Sequence, residues 1–156
     1  MIRPNPKPPA RAPQQLKPIA RKRAKKRTWK SPRCQVLRCN KKAEVLTYCN
    51  SHAKSEADRR FSLYIRARDG KCMIPNASPC IGPLQCCHIL SRRFLATRWD
   101  EQNAVAGCAG HHAYWTRNPD RWAAFVEDRP SLKSLRRAAF DGETANLAEV
   151  LGRYPK

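Results

Sequence analysis

The sequence predicts a small α+β protein stabilised by zinc. A short two-stranded hairpin and a helix form its centre, with flanking helices and a zinc knot near the N-terminus. Three observations carry that expectation. Eight cysteines and four histidines sit in a chain of 156 residues, and most of them recur at ligand spacings. Two short apolar strand candidates, 84–89 and 104–107, lie between segments of helical periodicity. A chain of this length has room for one ordinary domain or two very small ones.

Charge narrows the partners. With 32 Lys+Arg against 12 Asp+Glu, the formal net charge is +20. Such a field concentrates polyanions and suits nucleic acid, because neutralised phosphates release their counterions. The N-terminus lacks the apolar core of a secretory signal, and no run approaches the roughly 18 apolar residues that span a bilayer. A cytoplasmic, reducing setting follows as the expectation. There, cysteines interleaved with histidines at x2 spacing read as metal ligands rather than disulfides.

Taken in order, residues 1–33 carry twelve Lys/Arg, no acidic residue and seven of the thirteen prolines. Proline and like charge oppose a packed core, so a disordered basic arm is expected. Arg21, Lys22, Arg23, Lys25, Lys26 and Arg27 are its phosphate-seeking residues. Residues 34–54 read Cys34-x4-Cys39-x9-Cys49-x2-His52, a Cys3His set for a closed structural zinc. A unit that small has too little core to fold alone, so the metal would supply folding free energy.

A helix is expected over 55–69. Ser55 and Asp58 resemble a capping box, Gly70 supplies the stop, and Ala57, Phe61, Tyr64 and Ile65 form its apolar stripe. Cys72 and Cys80 follow, separated by a proline-rich excursion that can fold back on itself. With Cys108 and His111 they complete a second Cys3His set. Helices are further expected from Gly110, over 119–127 behind an Asn118-Pro119 start, from Ser131 to a stop at Gly142, and from Glu143 or Thr144 onward. The organisation is therefore an arm at 1–33, a knot at 34–54, a central domain at 55–128 and packing helices at 129–156.

The chemistry concentrates between Cys86 and His112. Hydrolysis of a phosphodiester needs an activated water, neutralised phosphate charge and a stabilised leaving oxygen. A neutral His88 suits the first task as general base. A hard divalent cation such as Mg²⁺, held by His112, suits the others. Neighbours on a helix point about 100° apart, so His111 can face a zinc while His112 faces a groove. Arg92, Arg93 and Arg98 lie in the connection between the strands and form the expected phosphate clamp. Asn103 is expected to brace that loop by hydrogen bonds.

Residues 64–112 resemble phage HNH proteins of the lambda NinG type. The likeness rests on Ile65-Arg66-Ala67-Arg68-Asp69-x2-Cys72, on His88 within Cys-His-Ile, on Asn103, and on the closing Cys108, His111 and His112. It covers about a third of the chain. The resemblance implies a ββα-metal (HNH) core, structural zinc, and cleavage of DNA in a bacterial host cell, with branched recombination intermediates as one substrate class. It also implies catalytic roles for His88, Asn103 and His112. Many HNH nucleases place Asp, Glu or His immediately before the general base as a metal ligand; this chain has Cys87 there, and a thiol is a poor ligand for Mg²⁺. That departure keeps a second reading open, a zinc-stabilised DNA-binding or recombination accessory protein with a decayed site. A third, a basic RNA-binding zinc protein, would leave His88 and His112 without a task.

Overall fold

The first helix grows directly out of the Cys-His knot at 34–54. In the computed structural model, which describes residues 32–75 and 79–154, α1 spans Asn50–Asp69. It therefore starts five residues earlier than the Ser55 cap predicts. Cys49 takes the extended cap conformation, and Ser55 lies inside the helix with its hydroxyl donating to the Ser51 carbonyl at 3.1 Å. Two members of the Cys3His set, Cys49 and His52, flank the first turn, so the knot's own geometry sets where the helix begins. Its end is as expected: Gly70 adopts φ 64°, where a Cβ would be strained, and its N–H closes on the Arg66 carbonyl at 3.0 Å.

The remaining order is β1 (Leu84–His88), a 3-10 turn (Glu101–Asn103), β2 (Ala104–Cys108), α2 (Ala109–Arg117), α3 (Pro119–Glu127), α4 (Leu132–Asp141) and α5 (Leu147–Arg153). The last helix starts later than expected, at an Asn146 cap whose side chain accepts from the Ala148 N–H at 2.9 Å. All described residues belong to one compact unit, Ser31–Lys156. Because α1 runs through position 54, the knot and the central domain share a helix rather than meet at a linker. The arm, with Arg21, Lys22, Arg23, Lys25, Lys26 and Arg27, lies outside the described residues. No helix among the described residues is long and apolar enough to cross a membrane.

The antiparallel hairpin pairs Leu84 with Cys108 through to His88 with Ala104. β2 is buried along its whole length, while β1 is only partly covered. Small residues, Ala-Val-Ala-Gly-Cys, let β2 lie closely covered on both faces. Its outer edge is closed by the end of α1 and the segment after it: Asp69 Oδ2 accepts from the Ala106 N–H at 2.7 Å, Arg68 donates to the Ala104 carbonyl at 2.9 Å, and the Met73 N–H reaches the Ala106 carbonyl at 2.8 Å. Those contacts satisfy edge groups that a two-stranded sheet otherwise leaves open.

One apolar cluster joins the knot, α1, the hairpin and α5. It contains Tyr48, Cys49, Ala53, Ala57, Phe61, Ile65, Trp99, Val150, Leu151 and Tyr154. Each fully buried large side chain of this kind contributes about 1.5–3 kcal/mol. Tyr64, expected on the inward stripe, is 36% exposed and lies at the rim against Tyr154, ring centroids 4.9 Å apart. A second cluster packs α3 and α4 on Ile89 through Val126, Leu132 and Leu135. A third, under α2, gathers Ile74, Cys87 and Val105.

Candidate metal centres and active site

The knot brings Cys34, Cys39, Cys49 and His52 together, with one ligand atom from each lying within 4.8 Å of all the others. His52 Nδ1 stands 3.2 Å from Cys34 Sγ and 3.4 Å from Cys49 Sγ, and Cys39 Sγ is 3.9 Å from Cys49 Sγ. A tetrahedron with metal–ligand bonds of about 2.0–2.3 Å has edges of roughly 3.5–3.8 Å, so this spacing fits a zinc-sized ion. The same sulfur separation is far too long for a disulfide. Cys49 is also primed as a thiolate: the Ser51 hydroxyl and the His52 amide push its pKa down to about 6.

Cys72, Cys80, Cys108 and His111 form the second group, within the same 4.8 Å limit. Cys72 Sγ lies 3.3 Å from His111 Nδ1 and Cys80 Sγ 3.9 Å from it. Backbone amides aim at the sulfurs: the Cys108 N–H donates to Cys72 Sγ at 3.2 Å, and the His111 N–H donates to Cys108 Sγ at 3.4 Å. The loop ahead of β1 reaches α2 through the Ala109 N–H on the Pro83 carbonyl and the Gly110 N–H on the Ile81 carbonyl. Both Cys3His groups can hold a structural metal ion, and zinc is the ion their donors prefer.

His111 points into this second group and is buried, while His112, next along α2, faces a cleft. The cleft has a volume of about 550 Å³ and is lined by His88, His112, Gln85, Ser62, Arg66 and Arg92, among others. Two arginines and no carboxylate line it. A smaller cavity of about 110 Å³, walled by Trp115, Trp122 and Cys87, also touches both His88 and His112. The two histidines expected to share a site therefore do border the same two spaces.

His88 Nε2 lies 3.0 Å from the Arg98 carbonyl oxygen. A carbonyl can only accept, so Nε2 carries the hydrogen and Nδ1 keeps its lone pair. Burial lowers the pKa of His88, and the nearby positive charges of Arg92 and Arg98 act in the same direction. The ring is a neutral base at pH 7. Phe61 packs against it with ring centroids 5.7 Å apart.

Asn103 is fully buried and braces the β1–β2 connection. Its Oδ1 accepts from the Leu90 N–H at 2.7 Å, and its Nδ2 donates to the Thr97 carbonyl at 2.9 Å. It contacts the loop rather than lining the cleft. His112 Nδ1 sits 2.5 Å from Gln85 Oε1.

Of the three arginines expected to clamp phosphate, only Arg92 lines the cleft. Arg98 is engaged elsewhere: Nη2 and Nε bond the Asp58 carboxylate at 2.6 and 2.9 Å, and Nη1 donates to the Arg92 carbonyl. Arg93 lies over the Phe94 ring at 5.3 Å. Arg66 and Gln85 are the cleft residues that sequence reasoning missed.

Cys87 is 2% exposed among Ile74 and Val105, and burial pushes its thiol up to about 12. It is a core residue. Cys86, on the other strand face, is half-buried, with its thiol raised to about 11 by burial. Comparison of the chain with family models, with curated proteins and with solved structures finds no match.

Proposed function

We propose that this protein is a metal-dependent DNA endonuclease of the HNH type, hydrolysing phosphodiester bonds in recombination or DNA processing. The observation that carries the reading is the pairing of His88 with the Arg98 carbonyl, which leaves a neutral imidazole nitrogen beside a cleft walled by arginines. The resemblance of residues 64–112 to phage HNH proteins, which includes His88 itself, points the same way.

In this reading, Nδ1 of His88 takes a proton from water as the water oxygen forms a bond to phosphorus. The ester P–O bond opposite breaks, and the leaving oxygen is protonated from solvent. Arg66 and Arg92 offset charge on the non-bridging phosphate oxygens. A divalent cation such as Mg²⁺, when bound, would polarise the phosphate and stabilise the leaving oxygen. His112 and Gln85 are the residues that would hold it. A nitrogen and an amide oxygen form a thin donor set without a carboxylate, so phosphate and water would have to complete it. The basic arm at 1–33 would tether the enzyme to DNA.

A second reading, a DNA-binding accessory protein without hydrolytic activity, draws on Cys87, which stands where HNH nucleases place a metal ligand and is here buried. One experiment separates the two. Plasmid and branched DNA are incubated with the full chain and Mg²⁺, Mn²⁺ or Ni²⁺, beside His88→Ala and His112→Ala, with zinc content measured on each. The nuclease reading expects cleavage by the parent chain alone and equal zinc in all three. DNA binding without cleavage in every metal establishes the accessory reading instead.

A further inference from the structure

We propose that Asp58, on α1, is a positioning residue for His88. This rests on the reading of His88 as the base. Asp58 touches neither the cleft nor the imidazole; it acts through the loop that carries the Arg98 carbonyl. Its Oδ2 accepts from Arg98 Nη2 at 2.6 Å, while its Oδ1 accepts from Arg98 Nε and Trp99 Nε1, each at 2.9 Å. Three donors from two consecutive residues thus converge on one carboxylate. The peptide carbonyl joining those residues is the one that accepts the His88 Nε2–H at 3.0 Å.

The same guanidinium closes the loop on itself, since Arg98 Nη1 donates to the Arg92 carbonyl at 3.0 Å. One helical turn along α1, Phe61 packs on the His88 ring. Helix α1 therefore constrains the base twice, with Phe61 against the ring and Asp58 fixing the acceptor for its N–H. Arg98–Asp58 is a two-pronged pair with side chains only 20% and 26% exposed, which resists screening better than a surface pair does. A charged fork fits this task because it orients as well as attracts. Lysine at 98 could not bond Nε-like and Nη-like positions at once.

The consequence is specific. Without Asp58 the Arg98 carbonyl is free to turn, the His88 N–H loses its fixed partner, and Nδ1, 4.0 Å from Cys86 Sγ at the cleft wall, no longer holds one direction. Arg66 lies outside this network, and in the absence of Asp58 the Arg98 Nη1 bond can still hold the Arg92 carbonyl, so turnover falls more than substrate affinity. Misplacement of this order reduces rates roughly 10- to 100-fold.

The test uses the full-length, zinc-loaded, ¹⁵N-labelled chain. In the parent protein, long-range ¹H–¹⁵N spectra are expected to show His88 as a single tautomer with its hydrogen on Nε2, protected from solvent exchange. Asp58→Ala is expected to accelerate exchange of that hydrogen about tenfold or more, to lower kcat roughly 10- to 100-fold, and to leave KM within about twofold. Arg98→Met, which keeps the side-chain stem but also removes the bond to the Arg92 carbonyl, is expected to accelerate exchange and lower kcat in the same way while KM rises, and the double variant should exchange no faster than either single one. If Asp58→Ala loses its zinc or its helical circular dichroism, Arg98→Met alone decides. A folded variant whose His88 hydrogen stays as protected as in the parent overturns the proposal. If the parent chain cleaves nothing but the exchange effect appears, positioning by Asp58 stands and the nuclease reading falls.

Discussion

His88 Nε2 donates to the carbonyl oxygen of Arg98 across 3.0 Å, and the other ring nitrogen is thereby left basic in a half-buried site. The direction of the pKa shift then sets the pH behaviour. Burial holds His88 below 6.5, so the ring stays neutral at pH values where an exposed histidine is already partly charged. Cleavage should be flat above pH 6.5 and decline on the acid side with the uptake of one proton. The same shift makes the fold lose stability as pH drops from 6.5 toward the lower folded value, because the unfolded chain binds that proton first. His88→Ala should remove roughly 10²–10⁴ of the rate with zinc retained. A kcat/KM profile from pH 5 to 8.5 checks this. An acid limb centred above pH 7 would assign the base to another group.

Adjacent histidines on α2 should separate cleanly by metal content. His111 belongs with Cys72, Cys80 and Cys108, whereas His112 contacts Gln85 in the cleft. The purified chain is expected to carry about two zinc ions. His111→Ala should lose one of them and His112→Ala neither, measured by elemental analysis on gel-filtered protein. Loss of zinc in the opposite variant means the two roles are exchanged. Because Cys34 and Cys49 also pack in the main apolar cluster, stripping zinc from the knot should melt the start of α1 and lower the helical signal.

Most of this fold is written in local patterns. Strand and helix periodicities place the hairpin and α2 within a residue or two, and ligand spacing alone identifies both Cys3His groups. What local pattern could not supply is long-range pairing. Ser55 and Asp58 satisfy the capping-box spacing, yet Asp58 is drawn to Arg98, 40 residues away, and the helix instead begins at Cys49 where the metal ligands turn the chain. Arg98 looked like a phosphate ligand for the same reason, since a lone arginine in a loop does not reveal its partner. Arg66 sits on a helix whose pattern marks only the apolar stripe, and only the packed hairpin makes its side of α1 a cleft wall.

Asn103 should prove a stability residue first. Its amide satisfies the Leu90 N–H and the Thr97 carbonyl inside a fully buried pocket, and no apolar side chain can replace both. Asn103→Ala leaves those groups without partners at about 1–3 kcal/mol each, reduced where water enters. Asn103→Asp keeps the acceptor but presents negative charge to the Thr97 carbonyl, and should be at least as destabilising near neutral pH. Thermal unfolding of the zinc-loaded proteins measures both. Equal melting temperatures for the parent and Asn103→Ala would show that the loop is held by other means.

Gly107 is the position where β2 tolerates no side chain. A Cβ there would run into the Cδ1 of Ile74 and come within 2.8 Å of Cys87 Sγ. Both neighbours are buried, at 4% and 2% exposure, so neither can swing into solvent. Gly107→Ala should therefore destabilise by about 1–3 kcal/mol through overpacking. The strain acts on the strand that leads straight into Cys108 and the second metal group. Removing one obstacle tests that cause directly: Cys87→Ala in the Gly107→Ala background should recover part of the loss, although Cys87→Ala alone is destabilising. Such a sign change is coupling between neighbours, read from a double-mutant cycle in denaturant. Additive losses would place the strain at Ile74 alone, and Ile74→Val would then be the compensating change.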